Sequence, residues 1–280
     1  MNSFLAYMGG KSLLARKIIP KIPEHKCYTE VFAGAAWLLF KKEESISDVE
    51  IINDINLDLI TLYRVVKHHL EEFIRYFKWV LVSRDEFYRF RKEAPESLTD
   101  IQRAVRFYYL LKLGYAARIK NPSFSIATTA KPRLNLLRIE EELSAVHLRL
   151  ARVYIENRSY AEVFARFDKP DTFFYIDPPY YGCEDYYGDG IFDRADFVKL
   201  RDILASISGK FILSINDADH IRDLFRGFRI ETVETSYSAG GANKKKHVNE
   251  LLIMNYEPIE SEPLEALIRK KVTELLISNY

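Results

Sequence analysis

Residues Thr172-Phe173-Phe174-Tyr175-Ile176 form an unbroken apolar, aromatic and β-branched run, followed at once by Asp177-Pro178-Pro179-Tyr180. Such a run reads as a buried strand. Two consecutive prolines lack N–H donors and hold φ near −65°, so the strand must stop there and the turn after it must be stiff. A carboxylate, two backbone carbonyls without competing amides and a phenol ring are thereby fixed at the carboxyl end of a strand. Open α/β sheets place their ligands at such ends. Oxygen acceptors for two amino hydrogens, beside an aromatic face, suit a planar group that carries an NH2. The plain alternative is a strand that ends in a proline turn.

The rest of the chain supplies the other strands. Tyr28–Phe32, Ile46–Ile52, Val153–Ile155, Phe211–Ile215, Phe228–Val233 and Val248–Met254 are expected strands. Helices are expected over Ser12–Ile19, stopped by Pro20, and over Ala35–Lys42, from Asn56 onward, over Asp193–Ile207 and around Ile221–Phe225. Between Lys67 and Leu150 the periodicity is helical, apart from a loop at Asn121–Asn135. The pattern predicts a parallel-type α/β domain over residues 1–66 and 150–258, split by a mainly helical insertion at 67–149. A polar linker and a helical tail at 259–280 follow, with Leu264, Ile268, Val272 and Leu275 at helical spacing.

The chain of 280 residues is 48% hydrophobic, enough for a sizeable core, and no apolar stretch approaches the length of a membrane span. Cys27 and Cys183 have neither metal-ligand spacing nor a disulfide framework, so a reducing cytoplasm is expected and no metal is predicted. A net charge of +1 hides a one-signed segment. From Ile101 to Ile139 the charged residues are all Arg or Lys, with Arg118, Lys120, Lys131 and Arg133 around the small, hydroxylated loop. Segments of this kind are a partner signature.

Two further constellations bear on ligand binding. Gly10-Lys11-Ser12 matches the end of a phosphate-binding P-loop, but the glycine required five positions earlier is Leu5. A nucleoside triphosphatase is therefore not expected. A flexible backbone remains, with Tyr7 and Lys11 beside it, which suits an anionic group such as a carboxylate; a plain turn is the alternative. In Glu30-Val31-Phe32-Ala33-Gly34-Ala35-Ala36, small residues after a strand let the backbone approach a ligand. Only one glycine of the dinucleotide fingerprint is present, so a pyrophosphate is not the expected guest. Asp54 follows Gly34 by 20 residues, the distance at which an acid meets ribose hydroxyls in nucleotide-binding βαβ units; it could instead cap the next helix. These features describe a nucleoside with a charged tail and no diphosphate. S-adenosylmethionine fits that description.

With Tyr7–Lys11, Glu30–Ala36, Asn53-Asp54-Ile55-Asn56, Asp177–Tyr180 and Tyr237–Asn255 in this order, the sequence resembles the Dam-like DNA adenine-N6 methyltransferases over almost its whole length. The resemblance implies a Rossmann-like methyltransferase sheet, mostly parallel with an antiparallel last strand, and an inserted target-recognition domain. It implies S-adenosyl-L-methionine as cofactor, held by Tyr7, Gly10, Lys11, Glu30, Phe32, Gly34, Asp54 and Asp177, with S-adenosyl-L-homocysteine as product. Asp177, Pro178, Pro179 and Tyr180 would hold an adenine flipped out of duplex DNA. Arg118, Lys120, Lys131 and Arg133, with Lys244 and Lys245 after Gly240-Gly241, would contact the DNA, although the second group also reads as a hairpin tip. The resemblance further implies a monomer or weak dimer of a bacterium or phage, alone or with a cognate restriction endonuclease. Methylation of RNA adenine or another planar amine, or a DNA-binding relic without catalysis, remain the alternatives.

Overall fold

A computed structural model describes residues 1–5, 13–126, 128–129, 131–135, 138–184, 191–238 and 245–258. Its strands are β1 (Cys27–Glu30), β2 (Val49–Asn53), β3 (Val153–Glu156), β4 (Thr172–Ile176), β5 (Lys210–Asn216), β6 (Arg229–Ser238) and β7 (Lys245–Met254). They form one sheet in the order β3-β2-β1-β4-β5-β7-β6. The β1–β2, β1–β4, β2–β3 and β4–β5 pairs are parallel, and β7 runs antiparallel to both β5 and β6. All seven expected strands are present, with ends shifted by a few residues.

The helices are α1 (Ala15–Ile18), α2 (Trp37–Lys41), α3 (Leu57–His68), α4 (Leu70–Phe77), α5 (Arg84–Lys92), α6 (Asp100–Leu113), α7 (Ile139–Leu150), α8 (Tyr160–Phe167), α9 (Arg194–Leu204) and α10 (Asp219–Leu224). Pro20 does not simply stop α1. It lies within the 3-10 turn Ile19–Lys21 that follows, where its missing N–H is tolerated in a first turn. Asn56 caps α3, its side chain accepting from Asp58 N at 3.0 Å and Leu59 N at 3.2 Å. Thr99, Ser159 and Asp193 cap α6, α8 and α9 in the same way, each with a reciprocal side-chain bond three residues on.

The sheet is covered on both faces. On one face Phe174, Ile176, Phe211, Leu213, Ile215, Leu251 and Ile253 pack with Val163 and Phe164 of α8, Phe197 and Leu200 of α9 and Ile221 of α10. On the other face Tyr28, Phe173, Tyr175 and Ile212 belong to a cluster that includes Tyr63 of α3, Phe73 and Phe77 of α4, Phe87 of α5, Tyr108 of α6 and Val146 of α7. The helices after α3 thus share an apolar cluster with the sheet. Helix α7 is also tied to it by a buried ion network. Arg149 grips Glu50 of β2 with two guanidinium nitrogens, one at 2.7 Å, and Lys42 closes on the same carboxylate.

The loop after α6 begins at a glycine that nothing larger could replace. A Cβ at Gly114 would lie 2.5 Å from the Leu110 carbonyl oxygen. Gly114 bridges Phe124, and Tyr115 N and Ser125 N donate to Ser123 O and Leu113 O, both at 2.8 Å. Ala116 and Ala117, at φ of 54° and 51°, turn the chain in the left-handed region between them.

Candidate active site

The chain moves outward from β1 to β2 and β3, then returns to β4 on the other side of β1. A crevice opens at such a switch point, outside the carboxyl ends of the two diverging strands. The register sets Glu30 opposite Tyr175, so Phe32 and Asp177, each two residues further on, leave the sheet at the same level. The Gly34 turn and the Asp177 loop therefore flank one crevice.

Alternation along the strands gives one face of this edge its polarity. Glu30, Tyr175, Asp177, Ser214 and Asn216 occupy the face whose deeper positions are Tyr28, Phe173 and Ile212. Strand β7 adds a residue because it runs backwards: its second half lies against the last residues of β5, and the pairing begins with Glu250 opposite Asn216. Apolar side chains thus floor the face, and polar ones crowd the edge where the parallel strands end.

Three side chains of β5 and β7 hold the Asp177 loop. Ser214 Oγ donates to Asp177 Oδ1 at 3.2 Å, and since a hydroxyl has one proton, Tyr175 OH is the donor in its 2.9 Å bond to Ser214. Asn216 brackets Tyr181, its Oδ1 accepting from Tyr181 N at 2.9 Å and its Nδ2 donating to Tyr181 O at 3.1 Å. Tyr180 OH donates to the carboxylate of Glu250, a residue with no exposed surface. Burial, then Asp177 and Glu250 nearby, push the Tyr180 phenol far above its usual range, so it remains a donor. Pro178 and Pro179 are buried, and Asp177 and Tyr180 are partly exposed at the crevice.

The Gly34 turn is held from β2. Asp54 Oδ2 accepts from Gly34 N at 3.0 Å, its Oδ1 accepts from Asn56 N at 2.9 Å, and Ala33 N donates to Asn53 O at 2.8 Å. Tyr63 OH of α3 donates to Gly34 O at 2.8 Å. Gly34 has φ of +48°, a conformation that suits glycine. Asp54 is 9% exposed and burial raises its carboxyl pKa, opposed by the amides of Asn56, Gly34 and Ile55. Asp54 therefore braces the turn, and the helix cap is Asn56. Glu30 is 1% exposed, and its Oε1 accepts from Tyr28 OH at 2.8 Å and Leu39 N at 2.6 Å. Burial pushes it up to about 7 against those two bonds, with Asp177 adding to the rise. Glu30 lies beneath the crevice, tying β1 to α2. Phe32 stacks on Tyr160 at 5.8 Å and meets Phe192 edge-on at 5.8 Å, making an aromatic wall beside the turn.

The cationic candidates lie elsewhere. Arg118, Lys120, Lys131 and Arg133 are exposed in the chain between α6 and α7. Arg118 lines a cleft of about 250 Å3 with Arg91, Arg106, Phe107 and Pro122; Asp58 of α3, ion-paired to Arg103, forms one edge of it. Tyr7, Gly10, Lys11 and Lys244 lie outside the described residues, as does the tail from 259; Lys245 opens β7. Ser214, Asn216, Glu250 and Tyr160 were missed in the sequence reading. A signal existed for one of them: Glu250 is an acid directly before the apolar run Leu251-Leu252-Ile253-Met254. Among the described residues no group of His, Cys, Asp and Glu is placed to hold a metal ion, and no helix is long and apolar enough to cross a membrane.

Residues 7–239 match the family model of the D12 class N6 adenine-specific DNA methyltransferases. The chain belongs to this family. It is 28% identical over 276 residues to the DNA adenine methylase of Escherichia coli K12, covering 92% of this chain and 96% of the relative. The DNA adenine methylase of Vibrio cholerae is 29% identical over 275 residues, with 90% and 95% covered. The type II methyltransferase M.CviBI of Paramecium bursaria Chlorella virus NC1A is 24% identical over 266 residues, with 91% and 100% covered. The enzyme is thus a site-specific adenine-N6 DNA methyltransferase with the Rossmann-like, mostly parallel sheet that its sequence predicts. The Asp177-Pro178-Pro179-Tyr180 loop and the Gly34 turn both fall inside the matched span.

Proposed function

We propose that this methyltransferase takes its methyl group from S-adenosyl-L-methionine and places it on N6 of an adenine extruded from duplex DNA, at the crevice between the Gly34 turn and Asp177. The residues fit such a cofactor. The turn offers an open backbone with no diphosphate cradle, and Phe32, Tyr160 and Phe192 offer a flat apolar wall for a purine. Phe32 and the Gly34 backbone would hold the nucleoside, with Asp54 and Glu30 fixing the turn from below. Tyr7, Gly10 and Lys11 are assigned the charged tail. When bound, the cofactor supplies an electrophilic methyl on a sulfonium sulfur.

The chain's own residues do the rest. The N6 lone pair of adenine is delocalised into the ring, which makes it a poor nucleophile. The Asp177 carboxylate and the Pro178 carbonyl accept the two amino hydrogens and favour a pyramidal, electron-rich nitrogen. Their rigid placement supplies rate by positioning, since the proline loop cannot relax away. As the nitrogen's new bond to the methyl carbon forms, the carbon–sulfur bond would break with its electron pair left on the sulfur as a neutral thioether, and the nitrogen would shed one amino proton past the Asp177 carboxylate to solvent. Extruding a base costs a few kcal/mol, and stacking on the Tyr180 ring returns about 1–3 kcal/mol.

The inserted region, 67–149, is assigned the reading of DNA, with the catalytic domain at 1–66 and 150–258 and a helical tail at 259–280. Arg118, Lys120, Lys131 and Arg133 are assigned to phosphate and groove contacts, and Lys244 and Lys245 to the rim of the site. Cys27 and Cys183 are both free, which suits a reducing cytoplasm.

The observation that carries this reading is the partly exposed Asp177 carboxylate at the switch point, braced by Ser214 and level with Phe32 at the start of the Gly34 turn. The test is incubation with labelled S-adenosylmethionine and duplex DNA, followed by digestion to nucleosides. Label on N6-methyladenine is expected. Label on cytosine, on RNA alone or on no nucleic acid would overturn the proposal.

A further inference from the structure

The antiparallel strand brings one charged group to the catalytic loop that no step described so far uses. Glu250 has no exposed surface, while Leu251, Leu252, Ile253 and Met254 after it are all buried and apolar. A carboxylate in such a place is costly unless it is paired and hydrogen-bonded. Its position follows from the register, which sets it opposite Asn216 of β5, on the face and at the level of the catalytic loop. Its carboxylate accepts the hydroxyl proton of Tyr180 across 70 residues of sequence.

The effect of this bond is geometric. The proline pair fixes the Tyr180 backbone, and Asn216 fixes the next residue through both its amide and its carbonyl. The ring can still turn about its side-chain torsions. A hydrogen bond at the hydroxyl pins the far end of the ring, and a charged acceptor makes that bond stronger than a neutral one would. Glu250 touches no reacting atom by this route.

We propose that Glu250 is a positioning residue of the transferase: by holding the Tyr180 hydroxyl it sets the ring plane against which the extruded adenine stacks. The inference rests on the base-capture role given to Tyr180 under the proposed function. It predicts that the two residues act as a unit, so removing either end of the bond has the same effect as removing both.

The test uses the full chain with two duplexes, the target being located beforehand by sequencing DNA methylated by the wild type. An unmodified target duplex serves for turnover, and one with 2-aminopurine, which lacks the N6 amine, in place of the target adenine serves for emission. Tyr180→Phe removes the hydroxyl and keeps the ring, Glu250→Leu removes the acceptor, and the double variant removes both. Each single variant and the double are expected to lose about tenfold in kcat, the scale of one charge-assisted hydrogen bond. Their affinity for S-adenosylmethionine should stay at the wild-type value. The 2-aminopurine emission of the complexes should rise, because the base is extruded but stacks less well. Glu250→Gln, which keeps a neutral acceptor, should recover part of both signals. Wild-type kcat and emission in Tyr180→Phe would overturn the inference, and that variant decides even if Glu250→Leu fails to fold. Losses that multiply in the double variant would overturn it too, since Glu250 would then act by a route other than Tyr180. A wild type that makes no N6-methyladenine would instead overturn the underlying function.

Discussion

At the carboxyl edge of the sheet, Asp177, Tyr180 and the Gly34 turn are held by Ser214, Glu250 and Asp54, partners 37, 70 and 20 residues away in sequence. Between α6 and α7, Arg118, Lys131 and Arg133 project from a loop whose backbone bonds, such as Tyr115 to Ser123 and Ser125 to Leu113, stay within itself and the end of α6. The first arrangement suits a reaction that needs atoms within tenths of an ångström. The second suits contacts to a phosphate chain, which tolerate movement and depend on charge more than on angle. The two regions nevertheless share one apolar cluster, so the difference lies in how polar groups are held rather than in how the helices are packed.

The largest expected effect breaks the rigid side of this comparison. Asp177→Ala removes the carboxylate, and the Ser214 hydroxyl can turn its proton to Tyr175 OH, 2.9 Å away. A fall in kcat of about 1000-fold or more is expected, the scale of losing a preorganised electrostatic contact to the reacting group. The thermal melt should stay near the wild-type value, because Asp177 is partly exposed and a small side chain fits there. Normal turnover in this variant would remove the carboxylate from the chemistry.

The second effect probes the junction between the regions. Arg149, in the last turn of α7, grips Glu50 of β2 while donating to Leu39 O at 3.0 Å. Arg149→Ala would leave the buried Glu50 carboxylate with Lys42 as its one ion-pair partner among the described residues, a loss of about 3–5 kcal/mol in a denaturant melt by the usual cost of breaking a buried pair. A change below 1 kcal/mol would mean that α4 to α7 are held to the sheet by their apolar cluster alone.

A third effect depends on pH. Glu30 rises from 4.5 to about 7 on folding, chiefly through burial. Between those values the folded protein holds a proton that the unfolded chain has lost, so stability falls as pH rises across the interval. The contribution is fully present below 4.5 and is lost above 7, amounting to at most about 3 kcal/mol. Glu30→Gln keeps an oxygen for the Tyr28 hydroxyl and the Leu39 amide and cannot ionise. Melts from pH 4 to 8 should therefore be flatter for this variant, and at pH 8 it should be the more stable protein. A wild-type profile without this decline would show that the carboxylate ionises freely in place.

The same contrast explains what the sequence made legible. Thr172–Ile176 announced itself because burial on both faces demands unbroken apolar residues, and Asp177-Pro178-Pro179-Tyr180 because prolines punctuate a strand. The braces were hidden because each depends on a strand pairing. Nothing local to Glu250 indicates that β7 runs backwards and delivers it to Tyr180. Asp54 shows the limit of spacing: a separation of 20 residues fits both an acceptor for ribose and an acceptor for Gly34 N, and only the turn geometry reveals the second. Between α3 and β3 the helical character was legible, but its division into α4 to α7 is set by packing on α3 and α6 rather than by local breakers alone.

The smallest effect belongs to the loosely held side. Arg118→Gln, Lys131→Gln and Arg133→Gln, taken singly, should leave kcat on saturating DNA within about twofold, since none of these residues is braced against the crevice. Each should weaken DNA binding alike for target and non-target duplexes. A plot of log affinity against log salt should lose about 0.9 in slope for each phosphate contact removed. The double variant Arg118→Gln with Arg133→Gln should therefore lose about twice the slope of either single one, because independent charges on a mobile polyanion add. A variant that keeps the salt slope and changes which sequence is methylated would move its residue from backbone contact to base reading. That outcome would sharpen the comparison, since a residue that reads a base edge needs a fixed direction of the kind Glu250 gives Tyr180.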